Sequence, residues 1–146
     1  MIIAVVDGQG GGIGKAIVEK VKAGFPKTVV YALGTNSVAT GQMLRAGADE
    51  GATGENAIVH NMKRVDVVVG VIGILNANSM MGELTPKMAE AIGSSPAQKI
   101  LLPLNRCHIH VVSVKELSIG QHIDNAVLAI KEYIQANAGS EDCRPV

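Results

Sequence analysis

Apolar residues along this chain fall into short β-branched runs separated by stretches with helical spacing. Residues 2–6, Ile-Ile-Ala-Val-Val, form a continuous run that stops at Asp7-Gly8, as expected of a strand buried on both faces. Beyond a cluster of glycines, Ala16, Ile17, Val18 and Val21 recur on one helical face until Gly24-Phe25-Pro26 breaks the pattern. A second apolar run, 28–33, leads into Gly34-Thr35-Asn36-Ser37, where three side chains are suited to cap a helix continuing through Val38, Met43 and Leu44 to Gly47.

Residues 47–55 read as a loop, 57–62 as a short helix and 65–74 as the strongest strand. A turn follows at Asn76-Ala77-Asn78-Ser79. Thr85-Pro86 is a helix entry, because the hydroxyl caps and proline at the first helical position lacks an amide that would be unpaired anyway. That helix reaches Ile92 and stops at Gly93-Ser94-Ser95-Pro96. Segments 99–104 and 109–114 read as the last two strands. The longest amphipathic helix, 119–136, carries Ile123, Val127, Ile130 and Ile134 on one face. Five β runs interleaved with helices predict an α/β fold, a Rossmann-like three-layer sandwich with a mainly parallel sheet of about five strands, since helical crossovers join parallel neighbours. The predicted unit is one domain over 1–138, with 139–146 as a flexible C-terminal tail. The short polar turn at 105–108 leaves an antiparallel hairpin as the alternative for the last pair.

Composition narrows the function classes. A chain of 146 residues with 47% hydrophobic content has material for one sizeable core. Aromatic residues are 2%, only Phe25, Tyr31 and Tyr133, which removes the stacking platforms that single-stranded nucleic acid needs. Thirteen basic residues balance thirteen acidic ones, so no basic face for a phosphate backbone is expected. The longest apolar run, 67–75, is far short of the roughly 20 residues of a membrane helix. Neither nucleic acid nor membrane is an expected partner. The first residues lack the basic start of a secretory signal, and Cys107 and Cys143 are two distant cysteines without metal-ligand spacing, so the expected location is the cytoplasm.

The glycines carry the chemistry. Gly8, Gln9, Gly10, Gly11, Gly12, Ile13 and Gly14 lie between the first strand and the first helix, where a helix start presents free amides and the positive end of its dipole. Glycines let an anion approach the backbone without meeting Cβ atoms. These seven residues, with Asn36, Gly73 and Asn76 at the ends of later strands, form the candidate cofactor-binding set. A valine at Gly12 is expected to block the anion and strain the turn. The plain alternative is a tight strand-to-helix turn whose small residues only permit close packing.

The spacing Gly8-x-x-x-Gly12-Ile13-Gly14 resembles the cofactor loop of the short-chain dehydrogenases, with Asp7 where that family carries threonine; segment 65–74, with Gly73, is similar to its strand ending in Asn-Asn-Ala-Gly. This resemblance implies NAD or NADP as the cofactor. The family's Tyr-x-x-x-Lys pair has no counterpart, because Tyr31 is followed four residues on by Thr35 and Tyr133 by Asn137. Nor does an acid end the second strand to hold a ribose; Asn36 is the neutral substitute there. Residues Gly11-Gly12-Ile13-Gly14-Lys15 also resemble part of the deviant Walker A loop of partitioning ATPases, with Gly10 in place of its signature lysine and Ala16 in place of the magnesium-binding hydroxyl. The phrases Asp7 through Ile17, Ala32-Leu33-Gly34-Thr35-Asn36, Gly51-Ala52-Thr53-Gly54-Glu55-Asn56-Ala57 and Leu101-Leu102-Pro103-Leu104-Asn105 look like a family of small bacterial proteins classed as a domain of unknown function. That likeness spans most of the chain and implies no activity.

Strand ends share one rim in an open parallel sheet. Asp7, Asn36, Asn76, Asn78 and Asn105 fall there, with Ser79, Arg106 and His108 nearby. Asp7 is expected to organise the loop, since a bare carboxylate repels a bound phosphate. His108 and His110 would share a strand face without a third ligand, so no metal is expected. Met80-Met81 reads either as a flap over a ligand or as core filler. The primary expectation is a protein that binds a nucleotide or dinucleotide phosphate as a homo-oligomer. The alternatives are a non-catalytic regulatory or assembly module that associates through its last helix, a P-loop-like nucleotide hydrolase, and a small-metabolite enzyme whose site a second subunit completes.

Overall fold

A computed structural model describes residues 1–104 and 108–138. Its elements in order are β1 (Ile2–Asp7), α1 (Gly12–Gly24), β2 (Val29–Gly34), α2 (Ser37–Arg45), β3 (Glu50–Thr53), α3 (Glu55–Asn61), β4 (Val67–Val71), a 3-10 turn (Ile72–Leu75), α4 (Pro86–Ser94), β5 (Gln98–Leu102) and α5 (Ile119–Asn137). The strands form one sheet in the order β3-β2-β1-β4-β5. Every pairing is parallel. The architecture is therefore the expected α/β fold, consistent with a Rossmann-like sandwich.

Alternation along β1 divides the core into two layers. Ile3 and Val5 pack with Ile17, Val18 and Val21 of α1, Met43 of α2 and Ile123, Ala126 and Ile130 of α5 on one face of the sheet. Ala4 and Val6 pack with Ile58 of α3 and Met88, Ala89 and Ile92 of α4 on the other. The apolar face of α5 is thus consumed inside its own domain, where the Lys20–Asp124 ion pair at 3.0 Å also ties it to α1. Three helices start on side-chain caps. Asn36 accepts from the Ala39 amide, Thr85 from Met88 and Ser118 from Gln121.

Two readings of the sequence are corrected. Segment 47–55, read as a loop, contains β3, which pairs with β2 from Tyr31 opposite Glu50 to Gly34 opposite Thr53. It forms the sheet edge, where a short polar strand needs backbone partners on one side only. Segment 109–114, read as a strand, is irregular: Ser113 takes a left-handed φ of 65°, and Val112 is 72% exposed. No antiparallel hairpin closes the sheet among the described residues; the proposed turn at Asn105, Arg106 and Cys107 and the tail at 139–146 lie outside them. The run 65–74 also divides. Its first part is β4, and the rest curls into the 3-10 turn, where the Gly73 carbonyl accepts from the Ser79 hydroxyl at 2.6 Å and the Asn76 amide at 3.0 Å.

Candidate functional site

β1 ends at Asp7, which is only 7% exposed. Its carboxylate accepts from the Gly8 amide at 2.8 Å and the Gly14 amide at 2.7 Å, one through each oxygen. Burial raises its pKa; the bonds from Gly14 and Gly8 oppose that rise, and the nearby Glu83 charge adds to it. Asp7 therefore braces both ends of the glycine loop.

The glycines divide by function. A Cβ at Gly14 would sit 2.7 Å from Asp7 Cβ and 2.8 Å from Met43 Sδ; at Gly8, 2.5 Å from Thr35 Oγ1; and at Gly11, 2.7 Å from the Ala39 backbone, with a left-handed φ of 73° as well. Packing explains these three. Gly10 and Gly12 are different: a Cβ there meets nothing within 4 Å, and neither has a left-handed φ. A Cβ at Gly12 therefore meets no obstacle, and packing does not require glycine there. Its missing side chain leaves open space that the fold does not require.

The loop amides divide in the same way. Gly8 and Gly14 donate to Asp7, Gln9 to Glu83 at 3.0 Å, Gly11 to the Gly8 carbonyl and Lys15 to the Gly11 carbonyl. Among the described residues, the amides of Gly10, Gly12 and Ile13 have no protein partner. The loop thus presents three donors at the start of α1 rather than all its amides. Lys15 is exposed on the first turn of that helix.

Strand order reverses between β1 and β4, and the crevice beyond those two ends is where open α/β sheets hold ligands. A cavity of about 260 Å³ lies there, walled by the loop at Asp7, Gly8, Gln9 and Ile13 and by Val71, Gly73, Met80, Met81 and Leu104. A second hollow of about 310 Å³ runs over Gly8 to Ile13 toward Ala16 and Ile119. Of the expected set, the structure brings Gly73 to the same cavity as Gly8, Gln9 and Ile13, while Gly10, Gly11 and Gly12 face the second hollow. Gly14 is buried behind the loop against Asp7. Asn76 lines neither space; its amide and carbonyl are tied into the turn by Gly73 and Ser79.

Asn36 is engaged at both ends of its side chain. Its oxygen caps α2, and its amide donates to the Gln9 carbonyl at 2.9 Å and to Glu83 at 2.6 Å. Glu83 is the residue that sequence reasoning missed. It comes from the connection between the 3-10 turn and α4, and its Oε1 accepts from Gln9, the Thr35 hydroxyl at 2.9 Å and Asn36. These bonds, the Asn36 amide foremost, outweigh its partial burial and hold its carboxyl below the usual range. Its partners lie 74, 48 and 47 residues away in sequence, so no local pattern announces it.

The remaining candidates scatter. His108 and His110 are exposed on an irregular segment, His60 contacts Arg64, and His122 is buried beside β5. No cluster of metal-ligating side chains occurs among the described residues. No helix is long and apolar enough to cross a membrane among them. Met80 and Met81 take left-handed φ values of 55° and 57°, and Met81 is 96% exposed over the cavity it lines.

No curated protein matches the chain. Residues 2–135 match the family described as Domain of unknown function (DUF3842), a span that takes in every strand and nearly all of α5. With the loop, the crevice and their supporting elements all inside that span, the chain belongs to this family.

Proposed function

We propose that this protein binds the phosphate of a nucleotide on the amides of Gly10, Gly12 and Ile13, with the rest of the ligand in the crevice between the ends of β1 and β4. One observation carries the reading: Gly10 and Gly12 lack side chains for no packing reason, and their amides lack partners among the described residues. Bare backbone at a helix start supplies donors and a favourable dipole to an anion. The apolar walls Ile13, Val71, Met80, Met81 and Leu104 suit a flat, uncharged group beside it. Asp7 fixes the loop geometry by accepting from the Gly8 and Gly14 amides. NAD, NADP and smaller nucleotides all carry the required phosphate.

A thermal-shift panel of NAD, NADP, ATP, GTP, nucleoside monophosphates and sugar phosphates tests this. A ligand at 100 times its Kd stabilises by about 2.7 kcal/mol, which for a domain of this size raises the midpoint by roughly 5–10 °C. Gly12→Val is expected to abolish the shift while the free variant stays folded, because a Cβ at that position enters open space. Unchanged binding by that variant would place the ligand elsewhere.

A further inference from the structure

The crevice has two sides, and they differ. Toward β4 it is open, as the 260 Å³ cavity. Toward β2 it is laced shut: Gln9 to Glu83, Thr35 to Glu83, Asn36 to Glu83 and Asn36 to the Gln9 carbonyl all span the mouth between the ends of β1 and β2. Glu83 Oε1 also lies 3.4 Å from where a Cβ on Gly8 would stand. None of Thr35, Asn36 and Glu83 lines either hollow beside the loop.

A dinucleotide spans such a crevice, one nucleoside on each side of the phosphate loop, and its second ribose lies beyond the end of β2. Here that place is filled by the Glu83 carboxylate and its three donors. We infer that the site takes a mononucleotide, a single phosphate ester carrying one flat ring, and that Glu83 excludes the second nucleoside of a dinucleotide. This inference rests on the phosphate-binding reading of the loop. Size agrees with it: the cavity of about 260 Å³ and the hollow of about 310 Å³ over Gly10, Gly11 and Gly12 each stand at the small end of the roughly 300–1,000 Å³ common for ligand pockets. Charge agrees as well. No lysine or arginine pairs with Glu83 among the described residues, so its charge repels a second phosphate group brought toward β2. Methionine sulfur at Met80 and Met81 suits the face or edge of one aromatic ring on the open side.

The test is calorimetric titration of the intact chain with nicotinamide mononucleotide, AMP, NAD and NADP, in the wild type, Glu83→Ala, Glu83→Gln and Gly12→Val. At least one mononucleotide is expected to bind the wild type about tenfold or more tightly than either dinucleotide. Glu83→Ala is expected to strengthen dinucleotide binding by about tenfold and to leave the mononucleotide within about threefold. Glu83→Gln keeps the size and removes the charge, so it should gain less, and it serves if the alanine variant fails to fold. Wild-type protein that binds NAD or NADP as tightly as its better half, or an alanine variant that is folded and gains nothing, overturns the exclusion and leaves the phosphate site standing. Absence of binding by all four compounds, or mononucleotide binding unaffected by Gly12→Val, overturns the phosphate site itself.

Discussion

Replacing Asp7 with asparagine isolates the brace that shapes the glycine loop. The carboxylate receives two backbone donors, Gly8 at 2.8 Å and Gly14 at 2.7 Å, in a place that water barely reaches. An amide in the same position keeps one acceptor oxygen and turns an NH2 donor toward the second N–H. One charge-assisted hydrogen bond, about 1.5–3 kcal/mol, is then lost, and a buried amide left unpaired adds about 1–3 kcal/mol. Local relaxation and the relief of burying a charge offset part of that sum, so the expected loss is about 2–4 kcal/mol. Against the 5–15 kcal/mol typical of a folded domain this is large; the melting midpoint should fall by roughly 5–15 °C. Urea unfolding followed by circular dichroism at neutral pH measures the difference directly, with an unchanged slope showing that the unfolded reference is the same. A loss below about 0.5 kcal/mol, the scale of an ordinary surface change, would refute the brace.

Gly14→Ala tests the same junction from the helix side. Its methyl group would meet Asp7 Cβ at 2.7 Å and Met43 Sδ at 2.8 Å, so overpacking of about 1–3 kcal/mol is expected, whereas Gly12→Ala in the same urea assay should show no loss. The pH dependence has a defined sign. Glu83 and Asp49 have folded pKa values below their ordinary 4.5 and 3.8, so each contributes stability that is present above that ordinary value and is lost as pH falls through its folded one. The Asn36 side-chain amide contributes most to this lowering for Glu83, and the Val30 backbone amide for Asp49, which is also paired with Lys22. Asp7 acts oppositely: its raised value contributes stability present below about 3.8 and lost as pH rises through the folded value. Unfolding free energies measured from pH 6 down to pH 3 should therefore fall less steeply for Glu83→Gln and more steeply for Asp7→Asn than for the wild type. Parallel curves would refute these assignments.

Much of this fold is written locally. The runs that became β1, β2 and β4 are continuous and apolar because both faces of a central strand are covered, and the caps Asn36, Thr85 and Ser118 mark where helices begin. What was illegible depends on partners distant in the chain. β3 shows no apolar alternation, since an edge strand with Glu50 and Gly51 exposed is held by backbone bonds to β2. The alternation at 109–114 suggests a strand, yet Ser113 turns the chain and Val112 and Val114 stay exposed. The loop could be located from glycine spacing, but which amides remain open depends on Asp7 and on Glu83 crossing from another connection. Asn36 stands at the end of β2, as its sequence position implies, and its side chain bonds to α2, Gln9 and Glu83, two of which lie far from it in the chain.

The packing of α5 against α1 joins residues near opposite ends of the described chain, Ile17, Val18 and Val21 with Ile123, Ala126 and Ile130. A chain emerging from the ribosome, at about 5–20 residues per second, completes one side of its hydrophobic interior only when its last helix arrives. Until then the first helix is covered by the sheet and α2 but lacks its neighbour on the α5 side. The glycine turn at the head of that helix thus gains its full mechanical support late in synthesis, and premature termination before residue 119 would release a protein with an unfinished layer rather than one merely lacking a tail.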